Sequence, residues 1–346
     1  MNTRYDDPAA QPDTCDHGNT PGYCTQCRDE RLGRPNPLLD PERTIIEPRP
    51  RGAFADALPE LIEAEPTMIA IGAATEQNET KGDKNEDSVL VDHRTNTYGV
   101  LDGMGGHAAG EVASAKATQF IVEQMIRMPK GIRHDAAQVA EYLRSAFAQA
   151  HGNLMLMAEA DPKKLKGMGA TASVMHLVEA KDGGVPREAV IASVGDSRVY
   201  LLRGGALKPL TKDQSLIQGL MDQGALPKDA DQIGDPSVDA RLSEDQRALV
   251  KNRRNIITGG LGVEGTLRVD TTRVPLEAGD VLFATSDGVH DNLTDREIAT
   301  IAQRYASDPM RLSTELIRAA RERSRDKGHI RHKDDDISAV AVHVSE

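Results

Sequence analysis

The sequence predicts an α+β domain in which antiparallel strands are covered by amphipathic helices, and three observations carry that prediction. Short apolar runs follow one another too closely for parallel crossovers, which need a dozen or more residues. Two long stretches repeat their apolar residues at helical intervals. All three cysteines lie within the first 27 of 346 residues, so no disulfide framework holds the body together. A hydrophobic content of 38% is enough for a sizeable core in a chain of this length.

Residues 1–30 carry Cys15, His17, Cys24 and Cys27, which match the ligand types and number of a tetrahedral Zn²⁺ site. The alternative is a tail with incidental thiols. Zinc bound there would be structural, because four protein ligands leave no open position for chemistry. Residues 31–66 hold Pro35, Pro37, Pro41, Pro48, Pro50, Pro59 and Pro66 and read as an extended linker. The main domain then occupies residues 67–346.

Its first strands are Thr67–Thr75, Ser88–Val91 and Thr97–Leu101. A helix from about Ala108 presents Val112, Ala113, Ala117, Phe120, Ile121 and Met125 on one stripe, and a second runs over Asp135–Met157. Gly169–Val178 reads as a strand. Ala189–Val194 and Arg198–Leu202, joined by the turn Gly195-Asp196-Ser197, are expected to pair with each other. Thr211–Ala225 begins polar and becomes helical. Pro227–Arg254 has no clear periodicity and is expected to be a mobile flap beside the site that tunes substrate choice, within a flap region of about residues 212–262. Strands follow at Leu267–Val274 and Asp280–Thr285, then helices Thr294–Tyr305 and Asp308–Arg325 capped by their first residues, then a final strand Ile337–Val344.

Four of these strands carry acidic residues at one end: Glu86-Asp87, Asp102, Asp287 and Asp334 to Asp336. Asp102 is followed by Gly103, Gly105 and Gly106, which let the backbone turn sharply and bring a carbonyl close to whatever the carboxylate holds. Like charges about 4 Å apart repel by roughly 4 kcal/mol at an effective dielectric near 20, so convergence of these tips calls for cations. An all-oxygen donor set selects Mg²⁺ or Mn²⁺. Two such ions about 3.5–4 Å apart, bridged by one aspartate, would hold and activate a water for attack on phosphorus. The net charge of −12, with 3% aromatic residues and no Trp, argues against nucleic acid or an anionic membrane as a partner. No apolar window approaches a membrane span and the first ten residues are polar, so a cytoplasmic protein is expected.

The motifs Asn85-Glu-Asp87, Asp102-Gly-Met-Gly-Gly-His107, Gly169-Ala-Thr171, Val194-Gly-Asp-Ser-Arg198, Ser286-Asp-Gly288 and Asp335-Asp-Ile-Ser338 occur in a telling order and approximate spacing. In both they resemble the metal-dependent protein phosphatases, the type-2C or PPM family, in its bacterial branch. The resemblance covers Thr67 to Glu346. It implies a four-layer α-β-β-α sandwich of two antiparallel sheets flanked by helices, with a binuclear metal site at one end. It also implies hydrolysis of phosphoserine and phosphothreonine on proteins by direct attack of a metal-bridging hydroxide. Phosphorylated proteins, including a serine/threonine kinase and its substrates, are the implied partners.

Carried over by position, Asp102 resembles the metal-bridging aspartate and the Gly103 carbonyl a ligand of one ion. Asp287 and Asp335 resemble ligands of the second ion, Glu86 and Asp87 the pair that holds metal-bound water, and Asp291 a ligand of a third. Asp196 is read as supporting its turn. Gly82 stands where the family places a phosphate-binding arginine, leaving Lys81 or Lys84 as substitutes, although a lysine lacks the bidentate fork. Met104 stands at a histidine position of eukaryotic members, and His107 nearby is not assigned that role. Lys166 replaces an aspartate before the Gly-Ala-Thr motif, Asp336 an asparagine, and Gln214 a histidine. Two other readings compete: a binding protein of the same fold without catalysis, and a metallophosphoesterase acting on small phosphates.

Overall fold

Apolar runs such as Val281-Leu-Phe-Ala-Thr285 have no polar face, and a strand of that kind needs cover on both sides. The computed structural model describes residues 69–78, 84–105 and 109–345. The expected zinc ligands and linker, together with Lys81, Gly82 and His107, lie outside the described residues.

The strands are β1 (Ile69–Glu76), β2 (Asp87–Asp92), β3 (Thr97–Met104), β4 (Gly169–Ala170), β5 (Ala172–Leu177) and β6 (Glu188–Val194), followed by β7 (Arg198–Arg203), β8 (Ala206–Pro209), β9 (Asp270–Pro275), β10 (Val281–Thr285) and β11 (Ile337–Val344). Among the described residues they form two antiparallel sheets, ordered β1-β11-β10-β7-β8 and β2-β3-β5-β6-β9, with β4 pairing β3. Alternate residues of β10 and β11 face opposite layers. Val281, Phe283, Ala339 and Ala341 join one core, while Leu282, Ala284, Val340 and Val342 join the core between the sheets.

Helices α1 (Ala109–Arg127) and α2 (Ala136–Ala160) cover the outer face of the second sheet through Ile121, Leu143, Phe147 and Leu154. Two short helices, α3 (Pro162–Leu165) and α4 (Leu216–Asp222), precede α5 (Pro236–Asp239), α6 (Glu244–Arg253) and α7 (Asp287–His290). Helices α8 (Asp295–Arg304) and α9 (Pro309–Arg325) cover the first sheet through Ile298, Leu312 and Leu316. Three cores in four layers thus give the expected sandwich. The caps at Thr294 and Asp308 are present, the first as a reciprocal capping box with Glu297.

Three local expectations are corrected. First, β6 and β7 do not pair: the Gly195-Asp196-Ser197 turn carries the chain from one sheet to the other, where β6 meets β9 and β7 meets β10. Gly195 has φ +92°, and a Cβ there would lie 2.7 Å from the Thr171 side chain, so the crossing needs glycine. Secondly, Gly169–Val178 is broken at Thr171, whose amide donates to the Asp102 carbonyl at 2.8 Å. Thirdly, Pro227–Arg254 is folded. Helices α4 to α6 close over their own core of Ile217, Met221, Ile233, Val238 and Val250. Helix α6 escapes a periodicity reading because Val250 is its one buried residue, although its Ser243 and Gln246 form a capping box.

Val250→Ala should remove about 2 kcal/mol of local stability and speed amide exchange in Glu244–Arg253 more than tenfold, leaving β10 unchanged. Hydrogen-exchange mass spectrometry reads this directly. An unprotected wild-type α6 would show that the segment is not a packed unit.

Candidate functional site

The predicted site residues arrive from both sheets. In the six-stranded sheet, Asp87 and Asp102 are cross-strand partners, and β3 continues past Asp102 to Met104, so the bridging candidate sits within a paired strand and not at a free tip. Its backbone is held from both directions by Thr171, whose hydroxyl accepts from the Asp102 amide at 3.2 Å and also meets Ser197 Oγ at 2.7 Å. Gly103 donates its amide to the Glu86 carbonyl at 3.0 Å. A Cβ on Gly103 would fall 2.0 Å from the Gly110 carbonyl oxygen, so the close passage of β3 beneath α1 requires glycine. The Glu86 carboxylate lies against Gly110 in the first turn of α1.

In the other sheet, Asp287 opens α7 directly after β10, and Asp291 follows one turn later, its amide donating to the Asp287 carbonyl at 2.8 Å. Asp335 precedes β11. Two contacts close the seam between the sheets at this end. Ser286 Oγ donates to Asp87 Oδ2 at 2.7 Å and accepts from the Ser338 amide at 3.0 Å. Asp336 accepts from the amides of Asn78, at 2.6 Å on Oδ1, and Glu86, at 2.8 Å on Oδ2. This second contact explains the aspartate at the asparagine position: a carboxylate accepts with both oxygens, whereas a primary amide accepts with one.

Sequence reasoning missed Lys333. Its Nζ is ion-paired with Asp287, with Asp291 at 3.0 Å and with Asp335 at 3.2 Å. The legible signal was a basic residue immediately before three aspartates. It also missed Arg254, which donates to the carbonyls of Asp291, Arg331 and His332, and the environment of Asp196. Asp196 does sit in its turn, yet it is buried and feels the charges of Asp287 and Lys333. The tentative phosphate ligand Lys84 is exposed and paired with Glu111.

Negative charge exceeds positive charge here, and the carboxyls register it. Burial pushes Asp87 up to about 8, with Asp335 and Asp336 adding to the shift and hydrogen bonds from Ser286 and Ser338 opposing it. Burial, then the charges of Asp87, Asp287 and Asp335, raises Asp102 well above the usual carboxylate range. Burial lifts Asp287 to about 6 against the pull of Lys333. Burial acts on Asp291 in the same sense, but Lys333 and Arg254 outweigh it and hold that carboxyl below the usual range.

The donor set fits a hard divalent cation. It is all oxygen, and the buried atom Asp287 Oδ1 lacks a hydrogen-bond partner. Among the described residues, however, no three His, Cys, Asp or Glu side chains are already drawn in as a ligand shell, and the ammonium of Lys333 stands among three of them.

Comparison with known proteins bears on the family and the fold. A family model described as "Protein phosphatase 2C" matches residues 75–326. The chain is 33% identical over 202 residues to the serine/threonine phosphatase stp of Listeria monocytogenes, covering 58% of this chain and 69% of that protein. The Mycobacterium tuberculosis serine/threonine phosphatase PstP/Ppp superposes with a TM-score of 0.62 at 25% identity, covering 80% of this chain and 99% of the other. A structure of the catalytic domain of PstP in complex with two manganese ions shares the fold, with a TM-score of 0.59 at 24% identity and coverage of 80% and 99%.

Two outcomes follow from the charges and contacts. Asp87 and Asp287 keep protons in the folded state that the unfolded chain loses near pH 4, so the stability they contribute is present below that pH and lost as pH rises through about 6 and about 8. In chelator, the thermal midpoint should therefore fall by several degrees between pH 5 and pH 8.5, and saturating Mn²⁺ should flatten the decline. Separately, Asp336→Asn turns an amide NH₂ toward one of two backbone donors and should cost about 1–3 kcal/mol in urea unfolding, whereas a neutral result would remove Asp336 from the seam.

Proposed function

The chain belongs to the protein phosphatase 2C family, and from that premise we propose that its carboxylate seam binds Mg²⁺ or Mn²⁺ and hydrolyses phosphoserine and phosphothreonine in proteins. It is a serine/threonine protein phosphatase. The observation that carries the site assignment is the meeting of Asp87 and Asp102 from one sheet with Asp287 and Asp335 from the other, around the buried Asp287 Oδ1, which lacks a hydrogen-bond donor.

Asp102, the Gly103 carbonyl, Asp287 and Asp335 are the residues that would hold two ions. Ions bound there would polarise the phosphoryl oxygens and acidify a water molecule. Asp87 and Glu86 orient that water. Asp87 is itself held by Ser286, and the Glu86 backbone is pinned by Asp336 and Gly103, so both carboxyls are preorganised before substrate arrives. Water adds to phosphorus, the bond to the serine or threonine oxygen breaks, and that oxygen departs as the hydroxyl with a proton from the water. No cysteine follows Cys27, so the phosphoryl group is not passed to a thiol.

Lys81 and Lys84 are the proposed phosphate-capturing residues, because each lies within two positions of Gly82 in the sequence ahead of Glu86. Asp291, held by Lys333 and Arg254, can serve a third ion only when both cations withdraw. The reading extends to a serine/threonine kinase and its targets as partners, to a reducing cytoplasm from the cysteine-free body, and to Zn²⁺ at Cys15, His17, Cys24 and Cys27. Among the described residues, no helix is long and apolar enough to cross a membrane.

Phosphate release from a phosphothreonine peptide tests the assignment. Turnover should require Mn²⁺ or Mg²⁺, stop in chelator, and fall about a thousandfold or more in Asp102→Asn. Undiminished turnover by a folded Asp102→Asn protein would remove Asp102 from the site.

A further inference from the structure

We propose that Lys333 is a built-in competitor of the second divalent ion: its ammonium occupies the carboxylates of Asp287, Asp291 and Asp335 until an ion displaces it. The inference rests on the reading that these carboxylates receive such an ion.

The placement of the ammonium is built into the fold. Asn292, fully buried one residue after Asp291, accepts from the Lys333 amide at 3.0 Å through Oδ1 and donates to the Lys333 carbonyl at 3.0 Å through Nδ2. The same Nδ2 donates to the Gly288 carbonyl at 2.9 Å, tying the Lys333 backbone to α7. With its backbone clamped beside the helix that bears Asp287 and Asp291, a largely buried lysine side chain delivers its charge among the three carboxylates.

The substitution is incomplete, which is why an ion can win. One ammonium cannot neutralise three carboxylates, and it leaves Asp287 Oδ1 without a hydrogen bond. A divalent cation brings twice the charge of the ammonium it displaces and takes several oxygens at once. Before it binds, however, it must break the ion pairs that hold the ammonium, and its apparent affinity is reduced by that much. Asp102, in the other sheet, is not part of the set that Lys333 pairs with at these distances. The two halves of the centre should therefore fill unequally, the half with Asp287 and Asp335 last.

Titration calorimetry with Mn²⁺ on the metal-stripped full chain is the test. Wild-type protein should bind in a tight and a weak step. Lys333→Met and Lys333→Gln should tighten the weak step about tenfold or more, while Lys333→Arg should keep it weak. In chelator the uncharged variants should melt below wild type, and Mn²⁺ should restore them to at least the wild-type midpoint. A variant-free measurement accompanies this: acylation of Lys333 by an activated acetate ester, read by mass spectrometry, should be slow in chelator and faster with Mn²⁺. Unchanged affinity in the uncharged variants, or acylation that Mn²⁺ leaves unchanged or slows, would overturn the inference while leaving the metal reading intact. If neither wild type nor Lys333→Met binds Mn²⁺, both fall together.

Discussion

Mutual repulsion among buried or half-buried aspartates is the constraint on which the rest of this structure depends. Asp87, Asp102, Asp196, Asp287, Asp291 and Asp335 crowd one end of a sandwich whose sheets pack on an apolar core. Side chains alone would splay apart, so the positions are imposed by the backbone. Asp102 is locked in a ladder with Asp87 and gripped by Thr171, and Asp287 starts a helix whose next turn carries Asp291. The apolar cores supply the stability that lets a polar end remain underneutralised.

The seam between the sheets shows how such positions are kept. Ser286 and Asp336 each span it with one hydrogen bond, to Asp87 and to the Glu86 amide, and each is anchored on its own side by a second, with Ser338 and with Asn78. The helical unit of α4 to α6 is tied to the same end through Arg254, which donates to three carbonyls around Asp291 and the loop bearing Lys333. Arg198 adds a second tie, pairing with Asp213 at 2.7 Å and Asp231 at 2.9 Å. What periodicity alone presents as a featureless excursion is thus fastened to the chemistry at two points.

How much of this was legible in the sequence depended on how local the information was. Strands such as Ile337–Val344 and the capped helices α8 and α9 stand out because their patterns are local and unbroken. The aspartates of the site were legible because each ends or flanks an apolar run. The partner of β6 was not legible, since a tight turn between two strands ordinarily makes a hairpin, and here the clash a side chain at Gly195 would make with Thr171 marks a crossing between sheets instead. Helix α6 was hidden because it buries one residue. Lys333 was hidden because its meaning lies in Asp287 and Asp291, more than forty positions earlier in the chain. The role of Asp336 likewise depends on amides at Asn78 and Glu86 that no nearby pattern announces.

The strand order carries one more consequence. Among the described residues β11 is the last strand in chain order, yet it lies inside its sheet, between β1, the first, and β10. It brings Asp335 and Asp336 with it and closes the seam through Ser338. During synthesis, β1 must therefore wait for the far end of the domain before its ladder can form, and loop closure over that span is slow. A nascent or truncated chain lacking residues 335–344 has neither a closed first sheet nor a complete carboxylate set. Closure of the first sheet and convergence of the aspartates are therefore one late event, since both wait on the same strand.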